Sequence, residues 1–322
     1  MSDKTGLPLI TVVGASSKQG RSVVNSVARS GRYRVRALTR RLDIPLALQW
    51  RDAGVEVRAV ALQPGMQRDL TSALRGSYGA FLITPNIVPP ADYEFALGRE
   101  QADAAIAAGV EHVVFSSLEN VEQRTAGRKW VPNFTDKARV EEYIRRLPIT
   151  SSFVYLAFFY TNIMEFYPPR SNGLGLKFSL YLPHHVLMPF VDPMTATGPA
   201  VVEIFAHPHR YAGSSLPIIG EILSGEEMAA TFERVTGIRT VYEPTYTPEA
   251  LVSAFPAIGS NEHLVRELIG MAEYAVEYGY YTEHRDLGWS RKVDPQALTW
   301  EQFITRHNWR GAHTTFGSCL SN

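Results

Sequence analysis

The sequence predicts an α/β protein built on a doubly wound parallel sheet, followed by a smaller α+β C-terminal domain. Three observations predict it. Short apolar runs alternate with helix-periodic stretches as far as Leu156. A glycine-bounded turn, Gly14-Ala-Ser-Ser-Lys-Gln-Gly20, separates the first apolar run from the first helical stretch. After Leu156 the alternation stops and an aromatic-rich segment begins.

Leu7–Val13 is nearly all apolar, as a strand covered on both faces must be. Beyond the turn, Val23, Val24, Val27 and Ala28 fall at helical spacing, and Gly31 stands where a left-handed residue closes a helix. Tyr33–Arg40 reads as the second strand, Val55–Leu62 as the third and Ala80–Thr84 as the fourth. A helix through Glu94–Ala108 leads to a fifth strand, His112–Ser117, and a helix over Asp136–Leu147 leads to a sixth, Ser151–Leu156. Strands and helices in this order form βαβ units, which lie parallel.

A strand, a glycine turn and a helix N-terminus together suit a pyrophosphate, because the turn admits the phosphates and the helix end offers N–H groups. Gly14 and Gly20 are the outer glycines of such a Rossmann-type fingerprint. The middle glycine is absent: Ser17 stands there in the Gly-x-x-Gly-x-x-Gly spacing, Lys18 in the Gly-x-x-x-Gly-x-Gly spacing. A P-loop does not fit, since Gly20-Arg21-Ser22 lacks its lysine and lies one residue too far from Gly14. The cofactor loop is therefore Gly14, Ser16, Ser17, Lys18, Gln19 and Gly20. At the end of the second strand an NAD site places a carboxylate for the ribose 2′-hydroxyl. Arg40 and Arg41 stand there instead, and forked donors suit the 2′-phosphate of NADP(H).

The organisation that follows is a Rossmann-type NADP(H) domain over residues 1–152, to which later segments can add strands. A smaller domain for a substrate or partner takes residues 153–312, and residues 313–322 form a flexible tail. Acidic and basic residues balance at 32 each, so no overall field draws nucleic acid or an anionic membrane. The single cysteine, Cys319, cannot form an internal disulfide or a cysteine zinc cage. No signal-peptide core opens the chain and no apolar run is long enough to span a bilayer, which makes the cytoplasm the default compartment, with nuclear access open. His184-His185 and His207-Pro-His209 lack the flanking ligands of a metal site, so no metal is expected. His284-Arg-Asp286 mimics a kinase loop without its companion elements. Asn133-Phe-Thr135 fits a glycosylation sequon, which is without meaning in a chain that is not secreted.

Several longer strings are idiosyncratic. Val113-Val-Phe-Ser-Ser-Leu-Glu-Asn120, Thr125-Ala-Gly127, Phe134-Thr-Asp-Lys-Ala-Arg-Val-Glu-Glu-Tyr143, Thr161-Asn162 and Asp294-Pro-Gln-Ala-Leu-Thr299 resemble the NmrA-like family, an atypical branch of the short-chain dehydrogenases/reductases. The likeness is greatest to a member that acts as an NADPH sensor, and it runs from Ile10 to Phe303. It implies that NADP(H) is held by Gly14, Gly20, Arg40, the Thr84-Pro85-Asn86 segment and Lys137, with Ser116 near the nicotinamide end. The chain departs from the family at Ser17, and again at Val60-Ala61-Leu62-Gln63, which lacks the acidic residue usual near the adenine.

Short-chain dehydrogenases use Tyr-x-x-x-Lys, in which the lysine lowers the tyrosine pKa and the phenol moves the proton. Here Lys137 matches the lysine, but Asn133 replaces the tyrosine and carries no titratable proton. Two functions follow. One is a redox sensor or regulator read through NADPH occupancy, with a regulatory protein partner. The other is an NADPH-dependent reductase of a small aromatic, enone or carbonyl ligand that uses Lys137, with Tyr155, Phe158, Phe159, Tyr160 and Asn162 lining a pocket. The sensor has the advantage, because Asn133 cannot serve as an acid.

Overall fold

The structure is a computed structural model and describes residues 6–85, 93–281 and 286–316. The first half runs β1 (Leu9–Val12), α1 (Lys18–Ser30), β2 (Arg34–Thr39), α2 (Pro45–Asp52), β3 (Glu56–Ala59), α3 (Gln67–Leu74), β4 (Gly79–Leu82), α4 (Tyr93–Ala107), β5 (His112–Ser117), α5 (Val121–Arg124), α6 (Pro132–Ile144) and β6 (Thr150–Leu156). The second half adds β7 (Phe158–Phe159), α7 (Tyr160–Glu165), β8 (Arg170–Ser171), β9 (Leu176–Phe178), β10 (Met188–Val191), α8 (Pro193–Ala206) and α9 (Pro208–Tyr211). There follow β11 (Ser215–Ile218), β12 (Glu221–Leu223), α10 (Gly225–Thr236), β13 (Thr240–Tyr242), α11 (Pro248–Ala254), α12 (Pro256–Gly259), α13 (Glu262–Glu277), α14 (Leu287–Val293) and α15 (Trp300–His307).

Seven strands form one parallel sheet in the order β11-β6-β5-β4-β1-β2-β3. Strand order reverses between β1 and β4, and in open α/β sheets a ligand crevice opens at such a switch point. β5 shows why the sheet is covered twice. Val113 and Phe115 join the core beneath α4 and α6, whereas Val114 joins the core beneath α1 and α8. Two small three-stranded sheets, β12-β10-β7 and β13-β9-β8, belong to the second half. Its aromatic core, including Tyr160, Phe178, Phe190 and Trp300, is continuous with the α4/α6 side of the large sheet.

The domain boundary expected at residue 152 falls inside β6, and the late strand β11 pairs with β6 along Phe153–Leu156. α8 lies on the same face as α1. The contact is close because Gly198 has no side chain: a Cβ there would stand 2.1 Å from the Ser22 carbonyl oxygen, and the Gly198 N–H donates to Ser22 Oγ at 2.8 Å. The chain's last described stretch is also held. Trp309 is buried, the Thr314 N–H donates to the Met164 carbonyl at 3.0 Å, and the Phe316 N–H donates to Glu165 at 2.7 Å. Within the tail expected over 313–322, residues 314 and 316 thus carry these bonds, while 317–322, with Cys319, lie outside the described residues.

Two boundaries matter for the site. β3 ends at Ala59 rather than Leu62, so Val60–Gln63 is a connection. α6 begins at Pro132, not Asp136, because proline at N1 suits a helix start. Asn133 and Lys137 therefore stand one turn apart on one helix.

Candidate functional site

β1 delivers the chain to Gly14, whose φ of +64° and proximity to Ile83 exclude a side chain; a Cβ would lie 2.8 Å from Ile83 Cγ2. A Cβ on Gly20 would stand 2.2 Å from the Gly14 carbonyl oxygen and 2.8 Å from that of Ala15. The two glycines thus make a cradle at the α1 N-terminus that fits a dinucleotide pyrophosphate.

Ser17, where the chain departs from the family, caps the helix. Its φ of −68° is ordinary, so no glycine is demanded there, and its Oγ caps α1 by accepting the Gly20 N–H at 3.0 Å. Lys18 is turned to Glu165 of α7, with which it forms a buried ion pair. Burial lowers the Lys18 pKa from its usual value, against the stabilising charge of Glu165. Gln19 accepts the Ser116 hydroxyl at 2.8 Å, tying the loop to the end of β5, and Thr39 donates to Ser16 at 3.4 Å, tying it to β2.

Arg40 directly follows β2 and is exposed at the place the ribose reading requires. Arg41 is engaged by Asp43, at 3.0 and 2.9 Å, in a pair open to solvent. Thr84 and Pro85 follow β4 across the switch point; Asn86 lies outside the described residues.

Lys137 is buried on α6, and its ammonium bonds to the Glu94 carboxylate on α4. The same Glu94 oxygen accepts the Thr84 hydroxyl at 2.6 Å. A second carboxylate approaches from α13: Glu267 accepts the Asn133 backbone N–H at 2.9 Å. Burial raises the Glu267 pKa; the Asn133 N–H opposes the rise and the charge of Glu94 adds to it. The Asn133 side-chain oxygen is buried without a hydrogen-bond partner. Lys137, Asn133, Glu94 and Glu267 thus converge beside the end of β4, where a carbonyl or a ribose hydroxyl would find both donors and acceptors. The Ser117 hydroxyl meets the Lys137 carbonyl at 3.3 Å, fixing α6 to β5.

The aromatic candidates are drawn mainly into the core. Tyr160 is fully buried, stacked on Phe190 at 6.1 Å and packed on Trp300 and Phe303. Tyr155 is buried against Tyr281, and burial raises its pKa, with the charge of Glu141 contributing. Phe158 packs on Tyr167, Tyr181 and Phe190 and is half-buried, as are Phe159 and Asn162. A cleft of 410 Å³ lies elsewhere, lined by Trp130, Val252, Val265, Arg266 and Ile269 among others, and by none of these five.

Sequence reasoning missed Glu94, Glu165 and Glu267. Glu94 had a legible signal: it shares the buried stripe of α4 with Leu97, Gln101 and Ala105, and a carboxylate on such a stripe needs a cation. Glu165 ends the nearly all-buried α7 in the same way. Glu267 reaches the site only through the packing of α13, which has no local signature. The histidines pair with single carboxylates, His184 with Glu226 at 2.8 Å and His207 with Glu203 at 3.2 Å. Among the described residues no group of three or more His, Cys, Asp or Glu is placed to hold a metal, and no helix is long and apolar enough to cross a membrane.

A family model described as the NmrA-like family matches residues 8–304. An NmrA-like family domain-containing oxidoreductase, FrzB of Cladobotryum sp, is 29% identical over 260 residues, covering 73% of this chain and 76% of its own. The nitrogen metabolite repression protein nmrA of Emericella nidulans is 27% identical over 84% of this chain and 76% of its own. The crystal structure of NmrA, a negative transcriptional regulator, in complex with NADP superposes with a TM-score of 0.71 at 23% identity, covering 92% of this chain and 94% of that one. At that identity the likeness carries the fold.

Proposed function

The chain belongs to the NmrA-like family, and on that premise we propose that it binds NADP(H) at the Gly14–Gly20 loop and acts as a redox sensor or regulator through cofactor occupancy. The observation that carries this reading is the cradle at the α1 N-terminus, closed to any side chain at Gly14 and Gly20, with Arg40 at the end of the neighbouring strand. Gly14 and Gly20 admit the pyrophosphate, Arg40 meets the 2′-phosphate, and Ser116 and Gln19 frame the nicotinamide half. Two further observations support sensing over turnover. Asn133 offers no acid one turn before Lys137, and the Lys137 ammonium is already held by Glu94. NmrA is itself described as a negative transcriptional regulator.

A second reading, an NADPH-dependent reductase of a small aromatic, enone or carbonyl compound, is favoured by the naming of relatives such as FrzB as oxidoreductases. Bound NADPH would supply the hydride. The chain's own part would be to orient the carbonyl by Lys137 and to supply a proton from the group that Lys137, Glu94 and Glu267 share. NADPH titration followed by a panel of ketones, enones and quinones separates the two. Saturable binding without NADPH consumption is the expected result; steady, Lys137-dependent consumption would establish the reductase.

A further inference from the structure

The first turn of α1 is clasped to the last described residues of the chain. Glu165 stands between them: one carboxylate oxygen takes the Lys18 ammonium, and the other accepts the Phe316 N–H at 2.7 Å. On the far side of Phe316, its carbonyl accepts Arg21 Nη1 at 2.8 Å, while Arg21 Nε reaches back to the Ser16 carbonyl at 2.9 Å. Both backbone groups of Phe316 are therefore bound, one through Lys18 and Glu165, the other by the next turn of α1. The Phe316 ring also lies 5.8 Å from the Lys18 ammonium and 5.6 Å from the His307 ring. Thr314 adds one backbone bond, to Met164 of α7.

Lys18 occupies the first position of α1, and Arg21 the next turn, so both cations stand at the helix end that faces an incoming pyrophosphate. Glu165 is an internal anion at the edge of an anion site, and its side chain is only 4% exposed. It persists there because Lys18 neutralises it; a buried carboxylate deprived of its counter-charge is unfavourable. A pyrophosphate on the α1 N-terminus competes with Glu165 for the Lys18 ammonium and repels the Glu165 carboxylate by like charge.

We propose that Lys18, Glu165 and Phe316 form a cofactor-operated clasp: a dinucleotide pyrophosphate on α1 draws Lys18 from Glu165 and releases residues 314–316. The clasp rests on the cofactor reading given above and supplies its output, since an occupied loop and a docked C-terminal segment exclude each other. Coupling of this kind is reciprocal, so loosening the segment tightens the cofactor. Glu165 is then a positioning residue for Lys18 and sets the cofactor affinity from outside the loop.

The test uses the full chain and NADPH. Binding is followed by NADPH fluorescence, and hydrogen exchange at the Thr314 and Phe316 amides is measured with and without saturating NADPH. The expected result is faster exchange at both amides in the saturated protein, by about tenfold or more, a change that corresponds to a coupling of ordinary allosteric size. Phe316→Pro removes the N–H that Glu165 accepts without touching the glycine loop, and it is expected to tighten NADPH binding severalfold. Glu165→Gln, which keeps an acceptor for that N–H but gives up the charge, is expected to act in the same direction. Exchange that is unchanged or slower in the saturated protein, or a Phe316→Pro variant with unaltered affinity, overturns the clasp alone. Failure of NADPH to bind the unmodified chain overturns the clasp and the cofactor reading together.

Discussion

Lys137 and Glu94, on two different helices, share one buried bond, and the same Glu94 oxygen also receives the Thr84 hydroxyl at 2.6 Å. Lys137, which the family likeness implies for NADP(H), is thereby tied to α4 and, through Glu94, to Thr84 beyond β4. The pair gives the first prediction. Glu94→Leu strands a buried ammonium and Lys137→Met a buried carboxylate, and removing one partner of such a pair typically costs about 3–5 kcal/mol. The Glu94→Leu, Lys137→Met double variant should recover most of that loss, because neither charge is then left unpaired. Urea unfolding of the two single variants and the double variant measures the coupling; strictly additive losses would refute it.

Arg40→Ala should abolish most of the preference for NADP(H) over NAD(H). A charge-assisted contact to the 2′-phosphate contributes about 1.5–3 kcal/mol, which is roughly ten- to a hundredfold in affinity. Arg41→Ala tests whether the second arginine shares that contact, since its solvent-open pair with Asp43 holds it only weakly. Paired titrations with both cofactors decide it, and equal affinities in the unmodified protein would count against the assignment.

Ser17→Gly should tighten cofactor binding by about tenfold, because it frees the Gly20 N–H for a phosphate oxygen. The cost to the cofactor-free protein is small, as glycine replaces serine at an N-cap for only a few tenths of a kcal/mol. A dissociation constant that rises in the variant would mean that the Ser17 hydroxyl itself serves the phosphate.

His112 makes stability depend on pH. Burial against Phe205 and Ser152 lowers its pKa to about 4, from an ordinary 6.5. Between those values the unfolded chain takes up a proton that the folded chain refuses, so stability falls as the pH drops through that window. The loss approaches about 3 kcal/mol by pH 4. His112→Gln should flatten the urea midpoint between pH 6.5 and 4.5; an unchanged slope would assign the acid sensitivity to other groups.

The parts of the fold that were legible are those whose signal is local. β5 is legible because the apolar Val113-Val-Phe115 stands between Glu111 and Asn120, the residue that caps α5. Gly31 closes α1 at φ +65°, as its place after the helical stretch required. β11 was not legible: it is four residues long, contains Pro217, and gains its strand character only from pairing with β6. Proline is tolerated there because β11 is the edge of the sheet. In the site, the need for glycine at positions 14 and 20 is legible from spacing alone. The roles of Ser17, Lys18 and Lys137 are not, because each is decided by a partner on another element: Gly20, Glu165 and Glu94. A carboxylate's partner is a matter of packing, and period and propensity do not encode it.

The late arrival of β11 bears on how the protein is made. As the chain leaves the ribosome, β6 emerges with one edge unpaired, and the α8 face of the sheet stays bare until Pro193–Ala206 follows. An open strand edge beside uncovered apolar surface is a template for association with other chains. A gene cut just after Leu156 would make that transient state permanent, and its product should collect in the insoluble fraction. The first half is therefore no detachable module: its outermost strand is encoded beyond the aromatic segment, and a fusion or truncation that respects the fold must carry the chain past Ile218.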